Sequence, residues 1–272
     1  THLLAISGLH FGLIALFFHT FLRLFLPQKF ETLALMLTLT LYLFFIGNTP
    51  SVQRAWIFAM VFLFGRLVDK KSYSLNTLGV ALLISLIHDA SAATTLSFQL
   101  TFLATAGILL FYPYCEKILR FWIPKYSLQE IASHSLLWQH GYLGLQYIRK
   151  ALSLTIAVHC TLLPLLLYHF HSFFPHSLFY NLFFPSAAAL SLFLLLFASL
   201  LHVVIPPLGA WLHQLNGHYT AALVALSENP PILTRGFFFE HVSPLAVTTA
   251  ITLIFLGGIL YHSQENIHKE WV

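Results

Sequence analysis

The sequence predicts an all-α fold, a polytopic bundle of helices embedded in a membrane. Hydrophobic residues make up 58% of the 272 residues, charged residues make up only 8%, and the mean hydropathy is +0.80. A soluble domain contains about 25% charged residues, so the composition excludes an ordinary soluble protein. Apolar segments long enough to cross a bilayer recur along the chain and are separated by short polar joints. We therefore expect a single transmembrane domain that occupies residues 1–272.

About eight segments are predicted to cross the membrane. They are residues 2–26, 32–46, 52–68, 75–88, 96–112, 151–170, 178–205 and 245–261. Segments 32–46 and 75–88 are short, which indicates helices that are tilted, broken or buried against their neighbours. Segment 208–227 has polar residues at its middle, which favours a re-entrant or amphipathic helix. Segment 128–150 mixes aromatic and charged side chains, as an interfacial helix does.

The basic residues are distributed unevenly among the connections. Ten of them lie in or beside the first, third and fifth connections, whereas Arg54 is the one basic residue of the second, fourth and sixth. The ten are Arg23, Lys29, Arg66, Lys70, Lys71, Lys117, Arg120, Lys125, Arg149 and Lys150. Because cytoplasmic loops carry the excess of Lys and Arg, the odd connections are predicted to be cytoplasmic and residue 1 to lie outside. Odd-numbered helices then begin at the outer face.

The second connection, GNTPSVQRA, places an arginine at the start of a helix. Gly47 is predicted to end one helix, and Pro50 to occupy the first turn of the next, with Thr49 or Ser51 as its cap. Arg54 then lies about one turn inside a helix N-terminus, where the helix dipole disfavours a cation. Two interpretations stay open. Either an anion completes the site, or the arginine reaches lipid phosphates or pairs with an acidic side chain.

Polar residues also occur at the starts of the fifth and seventh predicted helices. Asp89 is a candidate partner for the arginine, or a candidate cap for the fifth helix. Gln99 follows Phe98 inside that helix, where a buried amide needs an interhelical partner. Asn181 and Pro185 lie within about one turn of each other in the seventh helix. Because proline removes a backbone donor, we expect that helix to be kinked or broken.

The first helix begins with polar residues among apolar ones: His2, Ser7 and His10, with Gly8 after the serine. Ser7 and His10 are three residues apart and share one helix face. Gly8 permits close approach of a second helix. A hydroxyl beside an imidazole is the arrangement of a nucleophile and its base. The GxSG pattern of intramembrane serine proteases is missing, however, so no catalytic residue is predicted. No metal site or cofactor is predicted either.

Taken together, these motifs resemble the ComEC family of competence proteins. HLLAISGLHFG, GNTPSVQRA, Asp89 followed by FQLTF, and YNLFFP occur in the order and approximate spacing of that family's competence domain, over residues 2 to about 260. The resemblance implies a bacterial inner-membrane channel that conducts one strand of transforming DNA into the cytoplasm. The partners it implies are single-stranded DNA, membrane lipid, a DNA-delivering receptor outside, and a cytoplasmic motor or single-strand-binding protein.

Full-length relatives usually carry an OB-like domain before this region and a metallo-β-lactamase-like domain after it. Thr1 in place of Met, with a helix already under way at residue 2, leads us to expect a domain cut from a longer chain. The metal signature of the second domain, HxHxDH, is absent from the sequence, so no nuclease activity is assigned to these residues. No P-loop is present, and we therefore expect an outside motor.

The candidate residues of the DNA path, or of the structural motifs around it, come from all four motifs. They are His2, Ser7, Gly8, His10, Gly47, Pro50, Ser51, Arg54, Asp89, Phe98, Gln99, Asn181 and Pro185. All lie near the predicted outer ends of helices, so we expect them to converge on one layer that suits phosphate oxygens. The alternative function is a secondary transporter or anion channel for a small anionic solute. An intramembrane hydrolase is the third candidate.

The charge bias makes a direct prediction about topology. Residues 69–73 and 125–130 should be cytoplasmic, and residues 47–51 should face the outside. Single cysteines introduced at these positions should react with an impermeant thiol reagent only in opened cells for the first two segments, and also in intact cells for the third. Labelling of position 72 in intact cells would overturn the topology.

Overall fold

The computed structural model describes residues 8–47, 49–68, 74–175, 177–228 and 236–270. This part of the chain forms ten α-helices, one 3₁₀ helix and two very short strands, which confirms the all-α class. The elements are α1 (Gly8–Arg23), α2 (Gln28–Ile46), α3 (Pro50–Leu67), α4 (Ser74–His88), the 3₁₀ helix (Ala90–Thr94), α5 (Leu96–Trp122), α6 (Leu128–Ala132), α7 (Leu136–Phe170), β1 (Ser172–Phe173), α8 (Ser177–Val204), α9 (Pro206–Glu228), β2 (Phe237–Phe238) and α10 (Pro244–Glu270).

Five of the described helices are long and apolar enough to cross a membrane: α2, α5, α7, α8, and α10 over Pro244–Tyr261. The apolar stretches His10–Arg23 and Ser74–His88 are shorter. The expected count of about eight spans is therefore not confirmed. Helix α3 falls outside the five, and its polar residues include Gln53, Arg54 and Arg66.

Helix α9 also falls outside the five membrane-spanning candidates. It runs without interruption through the polar residues at its middle, whereas a re-entrant segment would break there. Asn216 is buried in this helix and accepts a hydrogen bond from the Ser191 hydroxyl of α8 at 3.0 Å. The buried amide therefore has the interhelical partner that an apolar environment requires.

The predicted boundary between two helices at residue 150 is wrong, because α7 continues through it. Residues 128–150 were expected to form an interfacial helix that is separate from the span 151–170, but Leu136–Phe170 is one helix of 35 residues. At 1.5 Å per residue its length is roughly 52 Å, longer than the roughly 30 Å hydrocarbon core of a bilayer. One helix can therefore supply both a membrane span and a segment beyond it.

Arg149 consequently lies inside a helix instead of in a connection. It is 1% exposed, its Nη2 atom is 3.4 Å from Oε1 of Glu116 in α5, and its Nη1 atom donates to the Ile123 carbonyl. Glu116 also pairs with Arg120 one turn further along α5. The positive charge of Arg149 is thus neutralised by an ion pair within the protein, because a buried cation needs an anionic partner.

The structure has two compact units. The first contains the described residues of 1–99 and 184–231, and the second those of 100–183 and 232–272. In the first unit, α1, α2 and α3 pack on one another and α4 packs on α3. The core shared by α1, α2 and α3 contains Phe11, Leu35, Leu39, Leu43, Val52 and Leu63. Outward-facing apolar residues such as Phe45, which is 90% exposed, are typical of a lipid-facing surface.

In the second unit, α7 packs on α10 and makes a very close approach to α5. A Cβ atom added to Gly107 of α5 would lie 2.1 Å from the Thr161 hydroxyl oxygen and 2.9 Å from the Thr161 Cβ. Thr161 is itself 1% exposed and donates its hydroxyl to backbone carbonyls of α7. The absence of a side chain at Gly107 therefore sets the distance between the two helices.

We expect Gly107→Ala to destabilise the second unit by about 1 to 3 kcal/mol, because the added methyl group overpacks a closed helix contact. Gly144→Ala is the matched control, since a Cβ atom at Gly144 of α7 has no neighbour within 4 Å. Alanine there should be neutral or slightly stabilising. Thermal unfolding of the purified variants in detergent measures both effects, and equal midpoints for the two variants would contradict the close contact.

Candidate functional site

Arg54 lies where the sequence predicted, near the start of α3. Gly47 ends α2 with a positive φ of 93°, Thr49 is the N-cap residue of α3, and Pro50 is the first helical residue. The expected capping by a side chain is wrong, because Thr49 makes no side-chain cap hydrogen bond and Ser51 is already inside the helix. Proline supplies the turn instead, since its fixed φ suits the first helical position.

The Arg54 guanidinium is buried and held by the start of α5. Arg54 is 4% exposed, and its Nη2 atom donates to the Ser97 hydroxyl at 2.7 Å and to the Ser97 carbonyl at 3.2 Å. Its Cζ atom is 5.9 Å from the centre of the Phe98 ring, within the range of a cation–π contact. Sequence reasoning missed Ser97 as a partner, although it directly precedes Phe98 in the motif.

Asp89 has a different role from either of the two expected. Its Oδ1 atom accepts hydrogen bonds from the Ser91 backbone N–H at 2.9 Å and from the Ser91 hydroxyl at 2.6 Å. It thus caps the 3₁₀ helix, and α5 begins only at Leu96. The hydrogen bond from the Ser91 side chain holds the pKa of Asp89 below its ordinary value, so the carboxylate is ionised at neutral pH. These bonds go to Ser91, and the expected pairing of Asp89 with Arg54 is not what fixes this carboxylate.

One cavity nevertheless brings four of the predicted residues together. It has a volume of about 110 Å³ and lies among α3, α4, the 3₁₀ helix and the start of α5. Its lining residues are Pro50, Gln53, Arg54, Ile57, Ser85, His88, Asp89, Ala92 and Phe98. An arginine, a histidine and an aspartate thus face the same small space.

Gln99 ties the start of α5 to the 3₁₀ helix that precedes it. Its Nε2 atom donates to the Ala93 carbonyl at 3.0 Å. The expected interhelical partner from a neighbouring span is thus replaced here by a backbone group six residues earlier in the chain. This bond fixes the turn that positions Ser97 and Phe98 beside the arginine.

The first helix contributes a contact at Gly8. A Cβ atom added there would lie 3.6 Å from the Ala55 Cβ, which is ordinary van der Waals contact, so the starts of α1 and α3 adjoin. His10 is half-buried in α1. His2 and Ser7 lie outside the described residues, so the proposed Ser7–His10 pair stays untested.

Asn181 and Pro185 fall in different units of the fold. Asn181 belongs to the second unit, where its Nδ2 atom lies 3.5 Å from Nε2 of His159, and Pro185 belongs to the first. Helix α8 continues through Pro185, so it is not broken there, and the alternative that it is kinked stays a prediction. Proline is tolerated inside membrane helices where neighbouring groups satisfy the backbone groups that it frees. Convergence of Asn181 with the arginine stays a prediction.

A second polar cluster in the first unit escaped sequence reasoning altogether. Glu31 of α2 is fully buried, and its carboxylate binds Arg66 of α3 at 2.6 Å and His19 of α1 at 2.8 Å. Each of the three helices thus contributes one member. An acidic residue in the first turn of a helix is common. The sequence around Glu31 therefore did not indicate that its carboxylate is buried and paired.

Within the part of the chain that the structure describes, no group of three or more His, Cys, Asp or Glu side chains is arranged to hold a metal ion. The chemistry that these two clusters offer is that of guanidinium groups, of which Arg54 is buried and Arg66 is about a quarter exposed. Such groups recognise anions.

These features define a multi-pass, all-helical membrane protein with a buried arginine at a helix start. The family described as "Competence protein" matches residues 1–264, and the chain belongs to that family. This confirms the resemblance seen in the sequence motifs.

Among curated proteins, the chain is similar to "ComE operon protein 3" of Bacillus subtilis strain 168. The two are 31% identical over 173 residues, which cover 63% of this chain and 19% of that protein. The chain therefore matches only about a fifth of the relative's length. No solved structure matches the chain.

The Gly8 contact generates a prediction about packing. Gly8→Ala should be tolerated because its methyl group would sit at contact distance from Ala55. Gly8→Leu should separate α1 from α3 and lower the yield of folded protein several-fold, as for other small residues at helix contacts. The amount of monodisperse protein after detergent extraction measures this, and equal yields for the two variants would remove the packing role.

Proposed function

We propose that the chain is the membrane channel through which single-stranded transforming DNA crosses the bacterial inner membrane during natural competence. Membership of the competence protein family supports a role in DNA uptake. The five long apolar helices support a multi-pass path through the bilayer. The path itself is non-enzymatic, since strand conduction makes and breaks no covalent bond.

The observation that carries the proposal is the buried Arg54 guanidinium beside a small cavity. The free N–H groups and the dipole of a helix N-terminus favour an anion, and a guanidinium adds a fork of donors that matches phosphate oxygens. Ser97 and Phe98 hold the guanidinium in one orientation. A phosphate group that enters the cavity would therefore meet donors that are already ordered.

The size of the cavity limits what it can hold. Pockets for drug-sized ligands measure about 300 to 1,000 Å³, whereas this one measures about 110 Å³. A volume of this size is enough for one phosphodiester group. We therefore propose that Arg54 contacts the sugar–phosphate backbone at a single phosphate, independently of DNA sequence.

The proposed partners follow from the direction of transport. Single-stranded DNA and membrane lipid contact the chain itself, a receptor delivers DNA from outside, and a cytoplasmic motor or single-strand-binding protein draws the strand inward. The family resemblance implies OB-like and metallo-β-lactamase-like domains as further proposed neighbours, and the curated relative is much longer than the matched region.

The small cavity also favours a second candidate function, an anion channel or secondary transporter for a small anionic solute. A volume of about 110 Å³ suits a small anion as well as a phosphodiester group. Purified protein in liposomes separates the two functions. Anion flux in the absence of DNA would favour the transporter, whereas DNA-dependent uptake without anion flux would favour the DNA channel.

Arg54 variants in the chromosomal gene test the main proposal. Arg54→Ala removes the charge and the fork, so we expect transformation to fall at least about tenfold, the loss of one charge-assisted contact. Arg54→Lys keeps the charge but loses bidentate contact, and should be intermediate. Transformation frequency is measured together with the amount of protein in the membrane and the DNA bound at the cell surface, both of which should stay unchanged.

Arg120→Ala is the matched control, because Arg120 is an arginine of the second unit that is paired with Glu116. It should transform normally. Asp89→Ala removes the cap of the 3₁₀ helix and separates a structural effect from a phosphate contact. A well-expressed Arg54→Ala strain that transforms normally would refute phosphate contact by this arginine.

A further inference from the structure

A cavity of the first unit lies at the opposite end of α3 from Pro50. It has a volume of about 830 Å³, and its walls come from α1, α2 and α3. One end is polar and the rest is apolar. The polar lining residues are His19, Arg23, Gln28, Glu31 and Arg66, and the apolar ones are Ala15, Leu16, Leu26, Leu35, Leu39, Ala59, Phe62 and Leu63.

The polar end is built around the ion pair of a buried carboxylate with a partly exposed arginine. Glu31 is fully buried, and it orients Arg66 through a 2.6 Å contact and His19 through a 2.8 Å contact. Because the carboxylate is matched by Arg66, its charge is neutralised inside the protein. A guanidinium has five N–H donors, so Arg66 retains the capacity to bind a second anion.

Further basic side chains surround this end. Arg23 lines the same cavity, and Lys29 lines an adjoining one of about 300 Å³ that shares Gln28 and Arg66 with the first. Two basic side chains of this cavity, Arg23 and Arg66, thus stand against the one carboxylate of Glu31 among its lining residues. The surplus positive charge favours an anionic group at the mouth of the cavity.

This cavity is not a continuation of the space beside Arg54. Helix α3 lines the small cavity with Pro50, Gln53, Arg54 and Ile57, and the large one with Ala59, Phe62, Leu63 and Arg66. Pro50 and Ala59 are nine positions apart, which is about two and a half helical turns. The two sets therefore lie on opposite faces of the helix, so a ligand in the large cavity would be separate from an anion beside Arg54.

We propose that this cavity binds an anionic phospholipid. The phosphate group contacts Arg23 and Arg66, and an acyl chain lies along Leu16, Leu35 and Phe62 toward the apolar end. A volume of about 830 Å³ is within the range of pockets that enclose whole small molecules. Basic pockets between membrane helices on the cytoplasmic side are a known setting for acidic lipid head groups. The charge bias of the sequence predicts that this end of the bundle lies on that side.

The test uses the full chain, purified in non-ionic detergent, delipidated, and titrated with phosphatidylglycerol or phosphatidylcholine. The thermal midpoint is recorded at each lipid concentration, since a ligand that binds the folded state raises it. We expect the anionic lipid to bind about tenfold more tightly than the zwitterionic one. Inorganic phosphate is titrated separately and should produce no comparable shift, because it lacks the acyl chain.

Arg23→Gln should weaken binding of phosphatidylglycerol about fivefold, the factor that one basic residue contributes to an acidic lipid surface. Arg23 is exposed, so this variant leaves the ion pair of Glu31 and Arg66 intact. Leu16→Trp should weaken binding by filling the apolar end, and Leu16 is 51% exposed, so the core is unaffected. Arg120→Gln, in the second unit, is the matched control and should bind like the original protein.

Several results would overturn the lipid proposal. They are equal midpoint shifts with the two lipids, an equal shift with inorganic phosphate alone, or unchanged binding of phosphatidylglycerol by both Arg23→Gln and Leu16→Trp. None of these results bears on Arg54, because that site is tested by transformation and lies on the other face of α3.

Discussion

The arrangement of the first unit depends on one buried carboxylate. Glu31 lies in an apolar bundle, where an ionised group without a partner is costly, and its two partners come from the two neighbouring helices. Removing one partner of such a pair costs about 3 to 5 kcal/mol. The end of α1, the start of α2 and the end of α3 must therefore stay together. The starts of α1 and α3 also adjoin, since a Cβ atom added to Gly8 would lie 3.6 Å from the Ala55 Cβ.

Helix α3 carries two arginines whose relation to the helix dipole is opposite. Arg66 lies in the last turn, where a cation is favourable, and its partner Glu31 lies in the first turn of α2, where an anion is favourable. Arg54 lies near the start of the same helix, where a cation is unfavourable. The helix dipole therefore favours a cation at the position of Arg66 and disfavours one at the position of Arg54. Residues that break a local rule, and that the surrounding structure supports, are the ones expected to serve function.

Local features of the site could be predicted from the sequence, because they depend on neighbours in the chain. Gly47 correctly predicted the end of α2, and Pro50 correctly predicted the start of α3. The partners of the buried charges could not be predicted, because Ser97 is 43 positions from Arg54 and Arg66 is 35 positions from Glu31. Hydrophobic periodicity carries no information about which distant polar groups meet.

The same distinction explains the errors in the fold. Charged and aromatic residues between 128 and 150 indicated a separate interfacial helix, yet the backbone has no reason to end a helix at residue 150. A helix ends where glycine, proline or a capping residue ends it. A change from apolar to polar residues instead reflects a change in what surrounds the side chains. Helix α7 therefore passes through the change in composition, and Arg149 finds Glu116 inside the protein. Pro185 is a breaker by local rules, but α8 continues through it.

A conduit for a polyanion has to bind its cargo without retaining it. Conduction requires contacts that are favourable enough to admit the cargo and weak enough to release it. Ser97 and Phe98 already hold the Arg54 guanidinium, so a phosphate bound there as proposed would meet an ordered donor and would spend little binding energy on ordering the side chain. In the proposed site, the cavity of about 110 Å³ has room for about one phosphate group. A strand in contact with this site would therefore be held by one phosphate at a time, and each step to the next phosphate would exchange one such contact for an equivalent one.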